Sequence, residues 1–248
     1  MREGTGWRDV LRWLNGPVPT GKFRGVQFAI TPLAILWFIA LGLLGWWVPV
    51  VLMVTIGIHE YGHSLMGERL KYTPEVFLFE PMGARVVMGP RVQTVNDDMW
   101  ISIAGPLVNL VVGLVLLPVV LLLYYMDLEG SPAFVPIAGT CVLNLGLALF
   151  NMLPIYPMDG GRIFRGWAIK KYGWKRGNLL TRNVGVAIGL VLGGVCWIRK
   201  YRLLTLLMVP YVVDCIRGLE LEERLWKQQD PFTRLKEWGE HQKRKQDS

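Results

Sequence analysis

The sequence predicts an all-α polytopic membrane protein with about six transmembrane helices and a small membrane-surface β-hairpin between helices two and three. The first reason is composition, because hydrophobic residues make up 52% of the 248 residues and charged residues only 19%. The second is the recurrence of long apolar runs along the chain. The third is that basic residues gather in alternate loops, as the positive-inside rule describes.

The apolar runs define the predicted spans. They cover residues 27–46, 47–66, 99–125, 133–153, 183–198 and 203–216. A helix needs about 20 apolar residues to cross a bilayer, so the last two runs are short for spans. The predicted organisation is a membrane domain over 26–216, between a cytoplasmic N-terminal arm over 1–25 and a charged cytoplasmic C-terminal tail over 217–248. Within the arm, residues 7–14 fit either an interfacial helix or a solvated segment.

The chain has a net charge of +8, and its basic residues are distributed in agreement with the predicted topology. Lys and Arg cluster in the two terminal segments and in residues 67–98 and 160–182, whereas residues 42–50 and 125–134 contain none. Both termini are therefore predicted to be cytoplasmic in a multi-pass protein of a prokaryotic cell membrane. No basic-aromatic nucleic-acid motif is found, so we expect the lipid bilayer, and no nucleic acid, as the partner of this charge.

The second apolar run carries His59, Glu60 and His63. Residues four apart share a helix face, so the two imidazoles would lie about 6 Å apart at their Cβ atoms and could ligate one zinc ion. Glu60 beside them is the candidate general base. Ionisable groups inside a spanning helix are costly, which favours a functional role for them. Counted from Trp47, His59 lies about 18 Å along the helix, past the midplane, where water has a short route from the cytoplasm.

A β-hairpin is predicted after this helix. Residues 72–79 and 84–88 are rich in β-forming side chains, and residues 80–83 separate them. One interpretation is an edge strand that pairs with an extended peptide. The other is an amphipathic cap over the helices, and the sequence does not decide between them.

The third predicted span contains Ala104, Gly105 and Pro106, where small residues permit close helix contact. Asn109 follows one turn later and needs a hydrogen-bond partner in an apolar environment. We expect Asn144 on the next span to supply it and so to hold the two helices together.

The fourth predicted span ends in an irregular segment, residues 151–161, that carries Asp159. Pro154 and Pro157 prevent a regular helix, and irregular backbone at membrane depth is tolerated only where it is buried in protein or lines a cavity. The predicted topology places this end on the cytoplasmic side, as it does His59. A catalytic zinc site needs three protein ligands and one open position, and Asp159 is the strong candidate for the third ligand.

Together these motifs resemble the site-2 protease family of intramembrane zinc metalloproteases. The resemblance covers roughly residues 27–166 and rests on residues 59–63, on residues 104–106 with Asn109, and on the segment 151–161. It implies one Zn²⁺ per chain, with His59, His63 and Asp159 as ligands and Glu60 activating water. It also implies that Asn151 holds the substrate carbonyl, for which an interhelical hydrogen bond is the alternative role.

The resemblance implies a zinc metalloendopeptidase that hydrolyses peptide bonds in or near transmembrane segments of single-span membrane proteins. Two alternatives stay open: a zinc protease of another lineage that uses a downstream glutamate as third ligand, and a non-proteolytic zinc-binding or transport membrane protein. One departure lies in the hairpin turn, where residues 81–84 read Pro-Met-Gly-Ala and many relatives carry paired glycines. The length leaves no room for PDZ or CBS domains, so we expect the core, the tail or a regulatory partner to select substrates.

Overall fold

A computed structural model of the chain describes residues 13–14, 16–23, 25–43, 45–80, 83–89 and 94–228. Within these residues the protein is mostly helical, with seven helices and one four-stranded sheet. The elements are β1 (Val18–Phe23), β2 (Val26–Ile30), α1 (Pro32–Gly42), α2 (Trp47–Arg69), β3 (Thr73–Glu80), β4 (Gly83–Gly89), α3 (Val95–Tyr125), α4 (Phe134–Asn151), α5 (Asp159–Tyr172), α6 (Trp174–Ile198) and α7 (Arg202–Gln228). The chain divides into two compact units between Phe150 and Asn151.

The sheet belongs to the first unit and has the strand order β1-β2-β3-β4. β1 and β2 are antiparallel, β2 and β3 are parallel, and β3 and β4 form an antiparallel hairpin. The parallel pair requires a crossover connection, which α1 and α2 provide. The predicted hairpin is confirmed, while residues 81–82 of its turn lie outside the described residues.

The first predicted span is wrong in its bounds, and the all-α fold class needs the same correction. Residues 26–30 form β2, and α1 begins after Thr31, whose Oγ1 accepts a hydrogen bond of 3.3 Å from the Ala34 N–H. α1 has only 11 residues, fewer than the about 20 that cross a bilayer. β1 was not predicted because it contains Pro19, Gly21 and a lysine, which are depleted in strands; its pairing with β2 overrides this propensity.

Three of the described helices, α3, α4 and α6, are long and apolar enough to cross a membrane. In α3 only 11% of the most apolar window is buried within the protein. Its apolar side chains therefore face outward, as contact with lipid requires. The six predicted spans are not confirmed. The predicted runs 183–198 and 203–216 fall within α6 and α7, and of these two helices only α6 is long and apolar enough to cross a membrane.

Small residues bring α2, α3 and α4 close together in the first unit. A Cβ placed on Gly62 of α2 would lie 2.7 Å from the carbonyl oxygen of Ala104 in α3, closer than real Cβ atoms approach. The Asn144 side-chain amide of α4 donates to Thr55 Oγ1 of α2 at 3.2 Å. The predicted Asn109–Asn144 pair is therefore wrong, because α4 presents Asn144 to α2. The side chain of Asn109 is fully buried and has no hydrogen-bond partner among the described residues.

The second unit is formed by α5, α6 and α7. A Cβ on Gly177 of α6 would lie 2.6 Å from the main-chain nitrogen of Ile169 in α5. Arg165 of α5 is buried and donates from Nε to Asn178 Oδ1 of α6 at 2.8 Å. α7 covers the first part of the predicted tail, whereas residues 229–248, and residues 7–12 of the predicted interfacial segment, lie outside the described residues.

Candidate metal centre and active site

The side chains of His59, Glu60 and His63 cluster on α2 in the first unit. They are only 5%, 7% and 7% exposed. One ligand atom from each lies within 4.8 Å of those of the other two. Helical spacing alone places the two imidazoles on one face, and packing against α3 and β4 buries them with the carboxylate.

The orientation of the His63 ring is fixed by α3. Its Nδ1 lies 2.7 Å from the carbonyl oxygen of Ile101. A carbonyl can only accept a hydrogen bond, so Nδ1 carries the proton and donates it. Nε2 therefore carries the lone pair of this ring, and metal-binding histidines likewise donate their second ring N–H to a carbonyl or carboxylate.

The two Nε2 atoms of His59 and His63 face one another at 3.1 Å. Two nitrogens bound to one tetrahedral zinc, each at about 2.0–2.1 Å, lie about 3.3 Å apart. The observed separation thus fits one zinc ion with only a small movement of the rings. Without a metal, the same distance allows His59 Nε2–H to donate to His63 Nε2.

The main chain of Gly105 in α3 packs closely against these two nitrogens. A Cβ at this position would overlap Nε2 of His63 and lie 2.9 Å from Nε2 of His59. Any side chain here would force the two rings to move. The Ala-Gly-Pro motif therefore packs against the two imidazoles of the candidate metal centre.

Gly105→Ala should lower zinc affinity about 10- to 100-fold, because the added methyl group displaces the ring of His63. The measurement is zinc competition with a chromophoric chelator. Gly146→Ala is the matched control, since nothing lies within 4 Å of a Cβ on that helical glycine. Equal zinc affinities of the two variants would contradict the assignment of Gly105.

Glu60 is linked to the edge strand of the sheet. The main-chain N–H of Val86 in β4 donates to Glu60 Oε2 at 3.0 Å. The carboxylate is thereby held beside the two imidazoles rather than turned into solvent. A buried carboxylate next to a metal-binding pair is suited to move a proton.

Asp159 and Asn151 lie in the second unit, and the described cluster of potential metal ligands comprises His59, Glu60 and His63. Asp159 is the first residue of α5 and is 6% exposed. Negative charge is stabilised at a helix N-terminus, where main-chain N–H groups point outward. Asn151 is the last residue of α4 and is partly buried.

The paired glycines after Asp159 let the irregular segment fold back over the start of α5. A Cβ on Gly160 would overlap the main chain of Met152, and one on Gly161 the main chain of Ile155 and Tyr156. These close main-chain contacts hold the turn in which Asp159 lies. The segment therefore presents a buried carboxylate on a tightly packed backbone.

Three contributors to the site were not predicted as such: the Ile101 carbonyl, the position of Gly105 in front of the imidazoles, and the Val86 N–H. Two of them are main-chain groups, which every residue type has, so the sequence does not reveal them. Gly105 can be noticed in the sequence, since a glycine beside a proline inside an apolar helix indicates that another helix or side chain approaches closely there. What it approaches depends on the register of α3 against α2, which the sequence does not state.

Comparison with known proteins agrees with the family resemblance seen in the sequence. The profile of peptidase family M50 matches residues 47–134 and 128–192, more than half of the chain. Zinc metalloprotease MJ0392 of Methanocaldococcus jannaschii is 34% identical over 143 residues, which are 58% of this chain and 40% of that protein. The relative sll0528 of Synechocystis sp. is 27% identical over 212 residues, 72% of this chain and 51% of its own.

A solved structure also matches. The site-2 protease from Methanocaldococcus jannaschii superposes with a TM-score of 0.61 at 26% identity, over 81% of this chain and 94% of that chain. The present chain spans about half or less of the length of the two curated relatives above.

Proposed function

Because the chain belongs to peptidase family M50, we propose that it is an intramembrane zinc metalloprotease that hydrolyses peptide bonds in or near transmembrane segments of membrane proteins. The observation that carries the proposal is the pair of buried Nε2 atoms of His59 and His63, 3.1 Å apart, with the Glu60 carboxylate in the same cluster. Apolar helices with outward-facing side chains support a membrane location.

The proposed site holds one Zn²⁺ per chain, with His59, His63 and Asp159 as ligands. Asp159 is favoured because it is a buried carboxylate held on a close-packed turn, and a catalytic zinc ion keeps three protein ligands and one open position. Asn151 is proposed to donate a hydrogen bond from its amide to the substrate carbonyl.

The chemistry divides between the metal and the side chains. Zinc, when bound, would lower the pKa of a coordinated water to about 7 and polarise the substrate carbonyl. Glu60 accepts a proton from the attacking water at its carboxylate and delivers it to the leaving amide nitrogen. The Ile101 carbonyl keeps the His63 ring oriented throughout, since it accepts the Nδ1 proton and leaves Nε2 to the metal.

The substrate class is proposed to be single-span membrane proteins. Among the described strands β4 is terminal, and the Val86 N–H points away from β3 toward Glu60. A peptide strand paired with the rest of this edge would lie beside the general base. A helical substrate hides its carbonyls in its own hydrogen bonds, so it must unwind locally before it can pair.

The proposed topology is multi-pass, with residues 1–25 and 217–248 on the cytoplasmic side of a prokaryotic cell membrane and the protease domain between them. A regulatory partner is part of the same proposal. The high density of Lys and Arg in residues 160–182 supports this orientation.

The test is a cleavage panel. The purified full chain should contain one zinc ion and cut some single-span proteins in proteoliposomes; a strong chelator should stop cleavage, and zinc should restore it. Replacing an alanine near the cut site by glycine should raise the rate about fivefold, because glycine weakens a helix by about 1 kcal/mol. Cleavage that continues in zinc-free protein would contradict the proposal.

A further inference from the structure

We propose that the corner between α5 and α6 binds the headgroup of an anionic phospholipid. The corner cluster consists of two exposed aromatic residues and four exposed cations, namely Trp167, Tyr172, Lys170, Lys171, Lys175 and Arg176. The proposal does not depend on peptide hydrolysis, since it requires only that α6 lies in a membrane. It assigns a ligand of one chemical class, a phosphodiester that carries acyl chains, to residues that take no part in the proposed reaction.

The corner is a rigid part of the second unit. α5 ends and α6 begins on either side of Gly173, whose φ of +80° favours glycine. The two helices pack side by side from this turn, because a Cβ on Gly177 would lie 2.6 Å from the main-chain nitrogen of Ile169. Arg165 is buried at the same contact, with its guanidinium 4.9 Å from the centre of the Trp174 ring. The last turn of α5 and the first turn of α6 therefore form one surface.

The two exposed rings of the corner cluster hold one of its cations. Nζ of Lys171 lies 5.2 Å from the centre of the Trp167 ring and 5.4 Å from the centre of the Tyr172 ring. Aromatic rings attract a cation through their quadrupole and carry no net charge. The ammonium group is therefore held in place with its full positive charge, which a carboxylate partner would have cancelled.

The other cations of the corner cluster are not balanced by acidic residues either. Residues 160–213 contain no Asp or Glu. Among the described residues, Lys171, Lys175 and Arg176 form no ion pair. Like charges one turn apart on a helix destabilise it, so an anion that binds among these side chains also relieves their repulsion. The surface is thus complementary in charge to a phosphate group.

The position of the corner on α6 favours a phosphate that belongs to a lipid. α6 is long and apolar enough to cross a membrane, and residues 183–198 contain no charged side chain. Leu190 and Val191 in this stretch are exposed, as contact with acyl chains requires. The corner cluster lies at the end of the helix before this stretch, where headgroups meet acyl chains. Trp and Tyr are enriched at that level, and clustered Lys and Arg beside a span attract anionic lipids.

The test is binding of phosphatidylglycerol to the purified full-length protein in a neutral detergent, measured by native mass spectrometry. Lys171→Gln combined with Lys175→Gln should raise the Kd about 10- to 30-fold, since each cation near a headgroup contributes about fivefold. The matched control is Arg69→Gln combined with Lys71→Gln, which removes the same charge from exposed residues beside Glu68. The control should keep the Kd of the wild type. Equal Kd values for the two double variants would overturn the inference.

The aromatic part of the corner cluster is tested without any change of charge. Trp167→Leu removes one of the two rings that hold Lys171, and it should raise the Kd for phosphatidylglycerol about two- to fivefold. Trp100→Leu is the matched control, because Trp100 is an exposed tryptophan of α3. It should leave the Kd unchanged. If the lysine variant did not fold, as judged by its thermal unfolding midpoint, this pair of tryptophan variants would decide, and equal Kd values would overturn the inference.

Two further probes identify the ligand. Phosphatidylcholine has a phosphate and acyl chains but no net charge, so it should bind the wild type at least about tenfold more weakly than phosphatidylglycerol does. Millimolar inorganic phosphate, which has charge but no acyl chains, should not displace phosphatidylglycerol. Equal binding of the two lipids, or displacement by inorganic phosphate, would overturn the assignment to an anionic phospholipid.

Discussion

Glu60→Gln will abolish cleavage while one zinc ion stays bound. Glutamine has the shape of glutamate and its amide oxygen can still accept the Val86 N–H, so the site keeps its geometry. The amide cannot take a proton from water, and loss of a general base typically costs about 10²- to 10⁴-fold. The measurement is kcat for a single-span substrate in proteoliposomes, together with zinc counted on the same sample.

Glu68→Gln is the matched control for this result. Glu68 is exposed and lies two turns further along the same helix, and its neutralisation should leave zinc content and kcat at wild-type values. The non-proteolytic alternative makes the opposite prediction for Glu60→Gln, because a zinc-binding or transport protein does not need a base. Full function of Glu60→Gln would therefore exclude hydrolysis by this site.

Asp159→Ala will release zinc and abolish cleavage together. Two imidazoles alone form an incomplete site, since catalytic zinc is held by three protein ligands. Residues that only hydrogen-bond to a zinc ligand contribute about 10- to 100-fold to zinc affinity. Loss of a direct ligand should therefore lower zinc affinity more than about 100-fold. The measurement is zinc affinity by competition, followed by the cleavage assay at saturating zinc.

Asp127→Ala serves as the control, since Asp127 is an exposed carboxylate at the end of α3. It should retain wild-type zinc affinity. If Asp159→Ala bound zinc as tightly as Asp127→Ala, the third ligand would have to be sought elsewhere, and a protease lineage with a downstream glutamate ligand would be favoured.

The helical spacing of His59 and His63 could be predicted from sequence because it is local: four residues on a helix fix which face a side chain shares. The resemblance to the site-2 protease family is confirmed by the family match over residues 47–192. The orientation of His63 could not be predicted, because it depends on the Ile101 carbonyl across two packed helices. The same holds for Gly105, whose role depends on the register of α3 against α2.

Only part of the sheet could be predicted, because some of its strand pairs are close in the sequence and others are not. The β3–β4 hairpin joins neighbouring segments through a short turn, which local composition reveals. β2 pairs in parallel with β3 across two intervening helices, and no local pattern indicates such a partner. Val26, Phe28 and Ile30 of β2 run directly into the apolar α1, so strand and helix together have the length and hydropathy of one span.

Asn144 shows that the order of the helices in the sequence does not decide which buried polar residues bond to each other. Its side chain is buried where it was expected to be, yet it bonds to Thr55 of α2 rather than to Asn109. Sequence indicates that a buried amide needs a partner, and the rotation of each helix about its axis decides which one it finds.

The proposed site holds one zinc ion, with His59, His63 and Asp159 as its protein ligands. The most direct measurement is an experimental structure of the zinc-loaded protein with anomalous data collected at the zinc edge. It should place a single zinc within about 2.0–2.2 Å of His59 Nε2, His63 Nε2 and a carboxylate oxygen of Asp159. A zinc ion bound by the two histidines with a different third protein ligand, and Asp159 beyond coordinating distance, would contradict it.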